Sequence, residues 1–211
     1  MVREDQIDTF SRFSKVSRET LSSLKTYEKI IIEANKTLNL IGKSTITQIW
    51  ERHIMDSFQV IDFIDKKDNV IIDLGSGAGF PGIILALAAQ DRKIPLKINL
   101  IDKSRKKTIF LESAIKKLKL NVGVIYENIF ESEKKLKGNN FVARAFKPLP
   151  VILKLINNKG INFKKFFIFL GKTGNSELLE ASKSWDIEYK QRVSVTSSDS
   201  IIIEVNKLKK K

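Results

Sequence analysis

A glycine-rich run, from Asp73 to Gly82, begins at the end of a short apolar segment, Val70 to Leu74. The β-branched composition of that segment predicts a buried parallel strand. Pro81 ahead of the apolar residues 82–89 predicts a helix, because proline is favoured in the first helical turn. A glycine turn between a strand and a helix is typical of the crevice in which open α/β sheets bind ligands. The loop therefore predicts an α/β fold with a ligand site at this turn.

The alternation of strands and helices continues to the end of the chain. Further strands are predicted at 96–101, 121–126, 141–146 and 166–170, and helices at 104–119, 149–158 and 177–184. Right-handed crossovers between such strands produce a parallel sheet that is covered by helices. The last two segments, 187–195 and 201–206, are separated by a short polar stretch and predict an antiparallel hairpin. We expect this Rossmann-like α/β domain to occupy residues 67–211.

The first third of the chain has helical periodicity instead. Apolar residues recur at helical spacing over about 5–34, with an interruption near 14–17, and again over 47–64. The spacing predicts two helices followed by a third. Because 211 residues suffice for one α/β domain and an extension, we expect an N-terminal helical extension over residues 1–66, packed with the domain as one unit.

The composition limits the chemistry and suggests a class of partner. The chain has no cysteine, which excludes disulfides, thiolate metal sites and covalent thiol adducts. The net charge of +14 is typical of a protein with a polyanionic partner, although the bias toward Lys, Ile and Asn of an A/T-rich genome gives the same charge. We expect the lysines of 207–211 to form a solvated tail. We expect no metal, no membrane span and a cytoplasmic location.

The register of the glycines separates two cofactor classes. Gly77, Gly79 and Gly82 satisfy the G-x-G-x-x-G pattern of dinucleotide sites. In such sites the first glycine follows the strand at once, and counting from Gly75 places Phe80 where the third glycine belongs. An aspartate two residues before the first glycine, such as Asp73, is typical of methyltransferases and can hold the ammonium group of their cofactor. An NAD(P)-dependent oxidoreductase remains the alternative.

An acidic residue at the end of the second predicted strand fits either cofactor class. Asp102 is placed to bind both ribose hydroxyls of an adenosine group. The other interpretation of Asp102 is that it caps the helix that begins near Ser104. Together with Asp73 and the loop glycines, Asp102 completes the cofactor site that is predicted from the residues themselves.

Several stretches in sequence order resemble the RsmG (GidB) family: Asn39-Leu40, 52–57, 73–82, 102–104 and 144–146. Arg-His-Ile-x-Asp-Ser before the loop and Arg-Ala-Phe after it are rather specific to that family. The resemblance implies a class I S-adenosylmethionine-dependent methyltransferase fold and N7 methylation of a guanine in 16S ribosomal RNA. It also implies cofactor contacts at Gly75, Phe80, Ile129, Phe130 and Arg144.

Guanine N7 methylation agrees with the residues available. N7 carries a free lone pair, so no base is needed, and the chain holds one histidine. Cytosine C5 methylation normally needs a thiol, and the sequence Arg144 to Pro148 lacks the Asn/Asp-Pro-Pro-aromatic motif of amine methylation. Arg144 is the candidate catalytic residue, recognising the cofactor carboxylate or an RNA phosphate. Phe80 or Phe146 is a candidate cover for a base, and His53 and Asp56 are expected to form a structural pair.

Basic side chains near the strand ends are the candidate RNA contacts. They are Arg52, Arg105, Lys106, Lys107, Lys147 and Lys172. A non-catalytic RNA-binding module and a small-molecule methyltransferase are the competing functions. Steep salt dependence of binding would favour an RNA partner. We expect a monomer that acts on 16S ribosomal RNA or on the small ribosomal subunit.

Overall fold

The computed structural model describes residues 2–65 and 70–211 and contains one mixed sheet in that part of the chain. Its strands are β1 Val70–Leu74, β2 Lys97–Asp102, β3 Val122–Tyr126, β4 Asn140–Arg144, β5 Lys165–Leu170, β6 Trp185–Ser194 and β7 Ser197–Lys210. Their order across the sheet is β3-β2-β1-β4-β5-β7-β6. The first five strands pair in parallel, and β7 is antiparallel to both β5 and β6. The predicted parallel sheet with a C-terminal antiparallel hairpin is confirmed.

Helices cover both faces of the sheet. They are α1 Arg3–Ser14, α2 Arg18–Leu38, α3 Asp56–Phe58, α4 Gly82–Asp91, α5 Arg105–Leu118, α6 Leu149–Asn158 and α7 Gly174–Ser182. One core joins the N-terminal helices to α4, α5 and one sheet face, and a second lies beneath α6 and α7. In the first core, Phe10 packs edge-on against Trp50 and Phe58. The N-terminal helices therefore share their apolar interior with the sheet.

The predicted continuous helix at 47–64 is wrong in its detail. The chain instead forms a 3-10 segment at Lys43–Gln48, a π-helical segment at Trp50–Met55, the short α3 and a second 3-10 segment at Gln59–Phe63. Widened π turns occur often at functional sites. Here they place His53 and Asp56 on the side that faces the carboxyl end of β4. The predicted domain boundary at 66/67 lies outside the described residues, and the division stays a prediction.

Several strand ends differ from the predictions, and the ends of β4 and β7 matter most. β4 ends at Arg144 rather than at Phe146, because Ala145 adopts the left-handed conformation with φ of 48° and turns the chain. The predicted tail is wrong in its backbone as far as Lys210, since β7 continues to that residue and pairs with β6, whereas the lysine side chains of 207–211 are exposed as predicted. Opposite charges across the hairpin accompany this pairing, with Lys207 3.1 Å from Glu188. Residues 207–210 therefore belong to the C-terminal hairpin.

Candidate active site

A cavity of about 400 Å³, called the main cavity below, lies at the carboxyl ends of β1 to β4. Its size is in the range that small-molecule sites occupy. Apolar groups and hydrogen-bonding groups line it together: Gly75, Ile101, Asp102, Lys103, Lys107, Glu127, Asn128, Ile129, Phe130, Ala145, Phe146 and Lys147. The predicted cofactor residues Gly75, Asp102, Ile129 and Phe130 thus meet in one wall.

The glycine loop follows β1 and is held by the neighbouring strand. The amides of Gly75 and Ser76 both donate to the carbonyl of Ile101, at 2.9 and 3.0 Å. Gly75, Gly77 and Gly79 all have positive φ, a conformation that L side chains rarely adopt. A Cβ on Gly75 would lie 2.2 Å from the ring of Phe146. The loop therefore needs glycine both for its turns and for the close approach of that ring.

Asp102 joins the loop to the next helix and also faces the cavity. Its Oδ2 accepts from the amide of Gly77 at 2.9 Å, and its Oδ1 accepts from the amide of Ser104 at 2.8 Å. The residue is 7% exposed and contributes to the cavity wall. Asp102 does not cap α5, because the N-cap of that helix is Ser104 and, at the start of the helix, the carboxylate accepts only from the amide of this residue, while it borders the ligand space. This arrangement matches the requirement for a ribose-binding acid.

Asp73 is buried behind the loop instead of lining the cavity. Its Oδ2 accepts from the amide of Gly82 at 2.9 Å, across the turn. Among the described residues no hydrogen-bond partner reaches Oδ1. Burial raises the pKa of this carboxyl to about 7, and Asp102 adds to the rise while the Gly82 amide opposes it. Asp73 thus ties the start of the loop to the start of α4.

The side of the loop opposite the cavity rests on the N-terminal region. The buried Tyr27 hydroxyl, from α2, donates to the carbonyl of Ala78. Phe80 is also buried, and its ring stacks on His53 at a centroid distance of 5.1 Å. Burial raises the pKa of the Tyr27 hydroxyl well above its ordinary value, so it stays a donor. The sequence predictions missed Tyr27, because a tyrosine on an amphipathic helix carries no signal beyond that of a core residue.

Arg144, at the end of β4, points toward the N-terminal region and does not line the cavity. Its Nε donates to Asp56 Oδ2 at 2.9 Å, Nη1 meets His53 Nδ1 at 3.0 Å, and Nη2 donates to the carbonyl of Arg52 at 2.5 Å. His53 and Asp56, expected to pair with each other, are joined through this guanidinium. Three of its five N–H donors are therefore used by the protein itself.

His53 is held in a neutral form. Since a guanidinium only donates, His53 Nδ1 must accept from Arg144, and Nε2 then donates to Thr45 Oγ1 at 2.8 Å. Burial, together with the charges of Arg144 and Arg52, lowers the pKa of His53 to about 3. The imidazole is consequently uncharged at neutral pH, and both of its nitrogens are occupied by protein partners.

Asp56 connects this network to the C-terminal hairpin. Its Oδ1 accepts from Ser194 Oγ at 2.8 Å and from Gln59 Nε2 at 3.0 Å. A second cavity of about 200 Å³ opens beside it, and its lining includes Arg52, Arg144 and Gly171. The network thus binds the N-terminal segment, β4 and β6 together next to a small cavity that carries two arginines.

Comparison with known proteins identifies the family. The model described as rRNA small subunit methyltransferase G (GidB) matches residues 20–203. The chain belongs to this family. It is 42% identical over 198 residues to the ribosomal RNA small subunit methyltransferase G of Pelagibacter ubique, covering 93% of this chain and 92% of that protein. The protein of the same name from Rickettsia felis is 36% identical over 196 residues, covering 93% and 98%.

Solved structures agree on the fold. M. jannaschii TYW2 in complex with AdoMet aligns with a TM-score of 0.53 at 17% identity, over 77% of this chain and 78% of that one. Membership of the GidB family and this fold confirm the predictions of a class I methyltransferase and of S-adenosylmethionine as its cofactor. The residues of the main cavity fit that cofactor, because an acid for ribose hydroxyls stands beside apolar walls at Ile129, Phe130 and Phe146.

The predicted basic residues lie in four places. Lys107 and Lys147 line the main cavity, whereas Arg105 and Lys106 are exposed at the start of α5. Arg52 is exposed beside the second cavity. Lys172 follows Gly171 of the second cavity and lies 3.6 Å from Asp199 on the surface.

The cavity residues that were not predicted include Lys103, Glu127 and Asn128. Their positions in the sequence could have identified them, because each follows the carboxyl end of β2 or β3, at the edge of the sheet where the glycine loop also lies. Within the described residues, no cluster of three or more His, Asp or Glu side chains is arranged to hold a metal. Within the same residues, no helix has the length and apolar character needed to cross a membrane.

Proposed function

We propose that this protein transfers a methyl group from S-adenosylmethionine to N7 of a guanine in small-subunit (16S) ribosomal RNA. The observation that carries the proposal is the 42% identity to a ribosomal RNA small subunit methyltransferase G over nearly the whole chain. The N7 position rests on the resemblance to the RsmG family and on the absence of any need for a base at that atom.

We propose that the walls of the main cavity hold the cofactor. Asp102 would accept from the ribose hydroxyls, and Ile129 and Phe130 would enclose the adenine. Gly75 would let the loop backbone approach the cofactor closely, with Gly77 and Gly79 shaping the turns. When bound, S-adenosylmethionine supplies a methyl group on a sulfonium that is already activated for transfer.

The remaining predicted residues act by positioning in this proposal. Asp73 holds the loop to α4, and Phe80 anchors it on His53. Arg144 fixes the N-terminal segment through Asp56 and His53, and its free N–H groups border the second cavity. Direct contacts of Asp73, Phe80 and Arg144 with the cofactor stay predictions.

Methyl transfer to N7 requires the protein mainly to position the guanine and to exclude water. No group has to remove a proton from N7, since its lone pair is free. His53 supports this scheme, because its low pKa and its two protein partners leave it unsuited to proton transfer. Phe146, which packs on the glycine loop and lines the cavity, is a candidate surface against which the guanine lies.

The RNA would be held by cations around both cavities. Lys107 and Lys147 line the main cavity, and Arg52 and Arg144 line the second. Ala145 lies in both walls, so RNA phosphates could follow this surface past the cofactor. The predicted monomeric state and cytoplasmic location are consistent with such a role and stay predictions.

The proposal is tested by incubating the protein with labelled S-adenosylmethionine and either free 16S ribosomal RNA or small subunits that lack the modification. Nucleoside analysis should recover the label in 7-methylguanosine. Label in another nucleoside would refute the N7 assignment. Transfer to small molecules with no transfer to either RNA substrate would favour a small-molecule methyltransferase instead.

A further inference from the structure

An exposed aromatic ring with a cation over it stands at one edge of the sheet. Tyr126 is the last residue of β3, the edge strand, and is 56% exposed. The guanidinium carbon of Arg105, the first residue of α5, lies 5.7 Å from the centroid of the ring. Arg105 is exposed as well. The pair therefore presents a flat aromatic surface and a positive charge to solvent.

This pair lies on the rim of the main cavity. Tyr126 is the register partner of Asp102 in the pairing of β2 with β3. The amide of the next residue, Glu127, donates to the Asp102 carbonyl at 3.1 Å. Asp102, Lys103 and Glu127 all line the cavity. Tyr126 is therefore a direct neighbour of two residues of the cavity wall, one along the chain and one across the sheet.

The surroundings favour an anion. Lys103 and Lys106 are exposed on the same short stretch as Arg105, between β2 and the first turn of α5. Clustered cations attract phosphates, and their long side chains can reach along a nucleic acid backbone. Unpaired RNA bases are commonly stacked on aromatic rings and on arginine planes. An exposed tyrosine among these cations has the chemistry of such a stacking surface.

We propose that Tyr126 and Arg105 form a stacking platform for an unpaired nucleotide that flanks the target guanine in the substrate RNA. The base lies on the ring of Tyr126, while Arg105 and its neighbouring lysines bind the phosphates. This inference rests on the proposed function for the identity of the RNA. It goes beyond that function, because it assigns to the β3 edge a contact outside the cofactor and target sites.

The sheet offers a matched control for this platform. Tyr189 is 41% exposed and belongs to β6, the strand at the opposite edge. Removing its ring deletes a similar exposed side chain without touching the cavity rim. The Tyr126→Phe variant keeps the ring and loses only the hydroxyl. Comparing Tyr126→Ala with both variants separates stacking from a general effect on the sheet.

The experiment measures Kd for free 16S ribosomal RNA and for small subunits at one fixed salt concentration, using filter binding. Tyr126→Ala should weaken binding by about 5- to 150-fold, the usual effect of removing one stacking ring. Tyr126→Phe and Tyr189→Ala should stay within about twofold of the unaltered protein, because both retain the platform ring. Calorimetry should give all four proteins the same affinity for S-adenosylmethionine.

RNA binding by Tyr126→Ala that equals that of the unaltered protein would overturn the platform, as would an unaltered protein that binds neither RNA. Failure of the proposed function is a separate outcome. In that case the unaltered protein binds RNA without forming 7-methylguanosine, and the loss of binding in Tyr126→Ala still supports the platform.

Discussion

Arg144 donates a hydrogen bond to Nδ1 of His53, and the 3.0 Å contact fixes which nitrogen of the imidazole carries the proton. Because the other nitrogen meets Thr45 Oγ1 and the ring stacks on Phe80, the histidine links β4 to the glycine loop. These contacts give His53 a structural role, and this role does not involve proton transfer.

Two substitutions of His53 test the role of the acceptor at Nδ1. An asparagine oxygen can occupy the Nδ1 position, whereas a glutamine amide reaches toward Nε2. Both variants lose the ring that stacks on Phe80. We therefore expect His53→Gln to be less stable than His53→Asn by about 1–3 kcal/mol, the cost of a buried polar group left unpaired. Urea unfolding measures the difference, and equal stabilities would contradict the role of the acceptor.

Tyr27→Phe tests whether α2 supports the cofactor loop. The substitution removes the donor to the Ala78 carbonyl and leaves that buried oxygen unpaired. We expect the free energy of unfolding to fall by about 1–3 kcal/mol and the affinity for S-adenosylmethionine to fall with it. Tyr189→Phe, on the exposed edge strand, is the control and should change neither quantity. Unchanged cofactor affinity in Tyr27→Phe would show that the loop holds its shape without α2.

The raised pKa of Asp73 makes a prediction about pH. In the unfolded chain the carboxyl ionises near its ordinary pKa of 3.8, but in the folded protein it keeps its proton to about pH 7. The folded state therefore binds more protons between these values, and the free energy of unfolding decreases as pH rises from about 4 to 7. The full decrease is on the order of 4 kcal/mol.

Asp73→Asn removes this contribution, because asparagine does not titrate. The stability of the variant relative to the unaltered protein should rise between pH 5 and pH 8, as measured by urea unfolding at both values. Parallel pH profiles for the two proteins would mean that Asp73 is ionised in the fold at low pH, contrary to this account.

Gly75→Ala tests the close contact between the loop and Phe146. The new Cβ would lie 2.2 Å from the ring, and φ of 70° adds backbone strain. Because Phe146 lines the cavity, displacing it should weaken cofactor binding by about tenfold or more, as expected for a shifted binding geometry. Gly160→Ala shares the positive φ but meets nothing within 4 Å, so it should cost stability alone. Equal cofactor affinities in the two variants would exclude the clash as a cause.

The sequence predicts the cofactor cavity because its signals are local. The glycine turn follows β1 and Asp102 ends β2, and both strands can be recognised from their apolar residues. Ile129 was implied only by the resemblance to the RsmG family. Parallel pairing then brings the carboxyl ends of those strands to one edge of the sheet. The order of elements was therefore sufficient to bring Asp102 together with Gly75.

The network around Arg144 could not be predicted in the same way. Arg144 and Asp56 are 88 positions apart, and Ser194 lies 138 positions from Asp56. Their contacts depend on the path of the chain between them, including the π-helical turns and the positive φ of Ala145. Periodicity also failed for the end of β7, because the exposed lysines of residues 207–210 resemble a solvated tail in the sequence.

The most direct test of the central claim is calorimetric titration of S-adenosylmethionine into the unaltered protein and into Asp102→Ala. The cavity is the cofactor site only if the carboxylate on its wall contributes to binding. The account predicts that the unaltered protein binds and that Asp102→Ala binds at least about tenfold more weakly, as expected for the loss of charged hydrogen bonds. Equal affinities in the two proteins would contradict it.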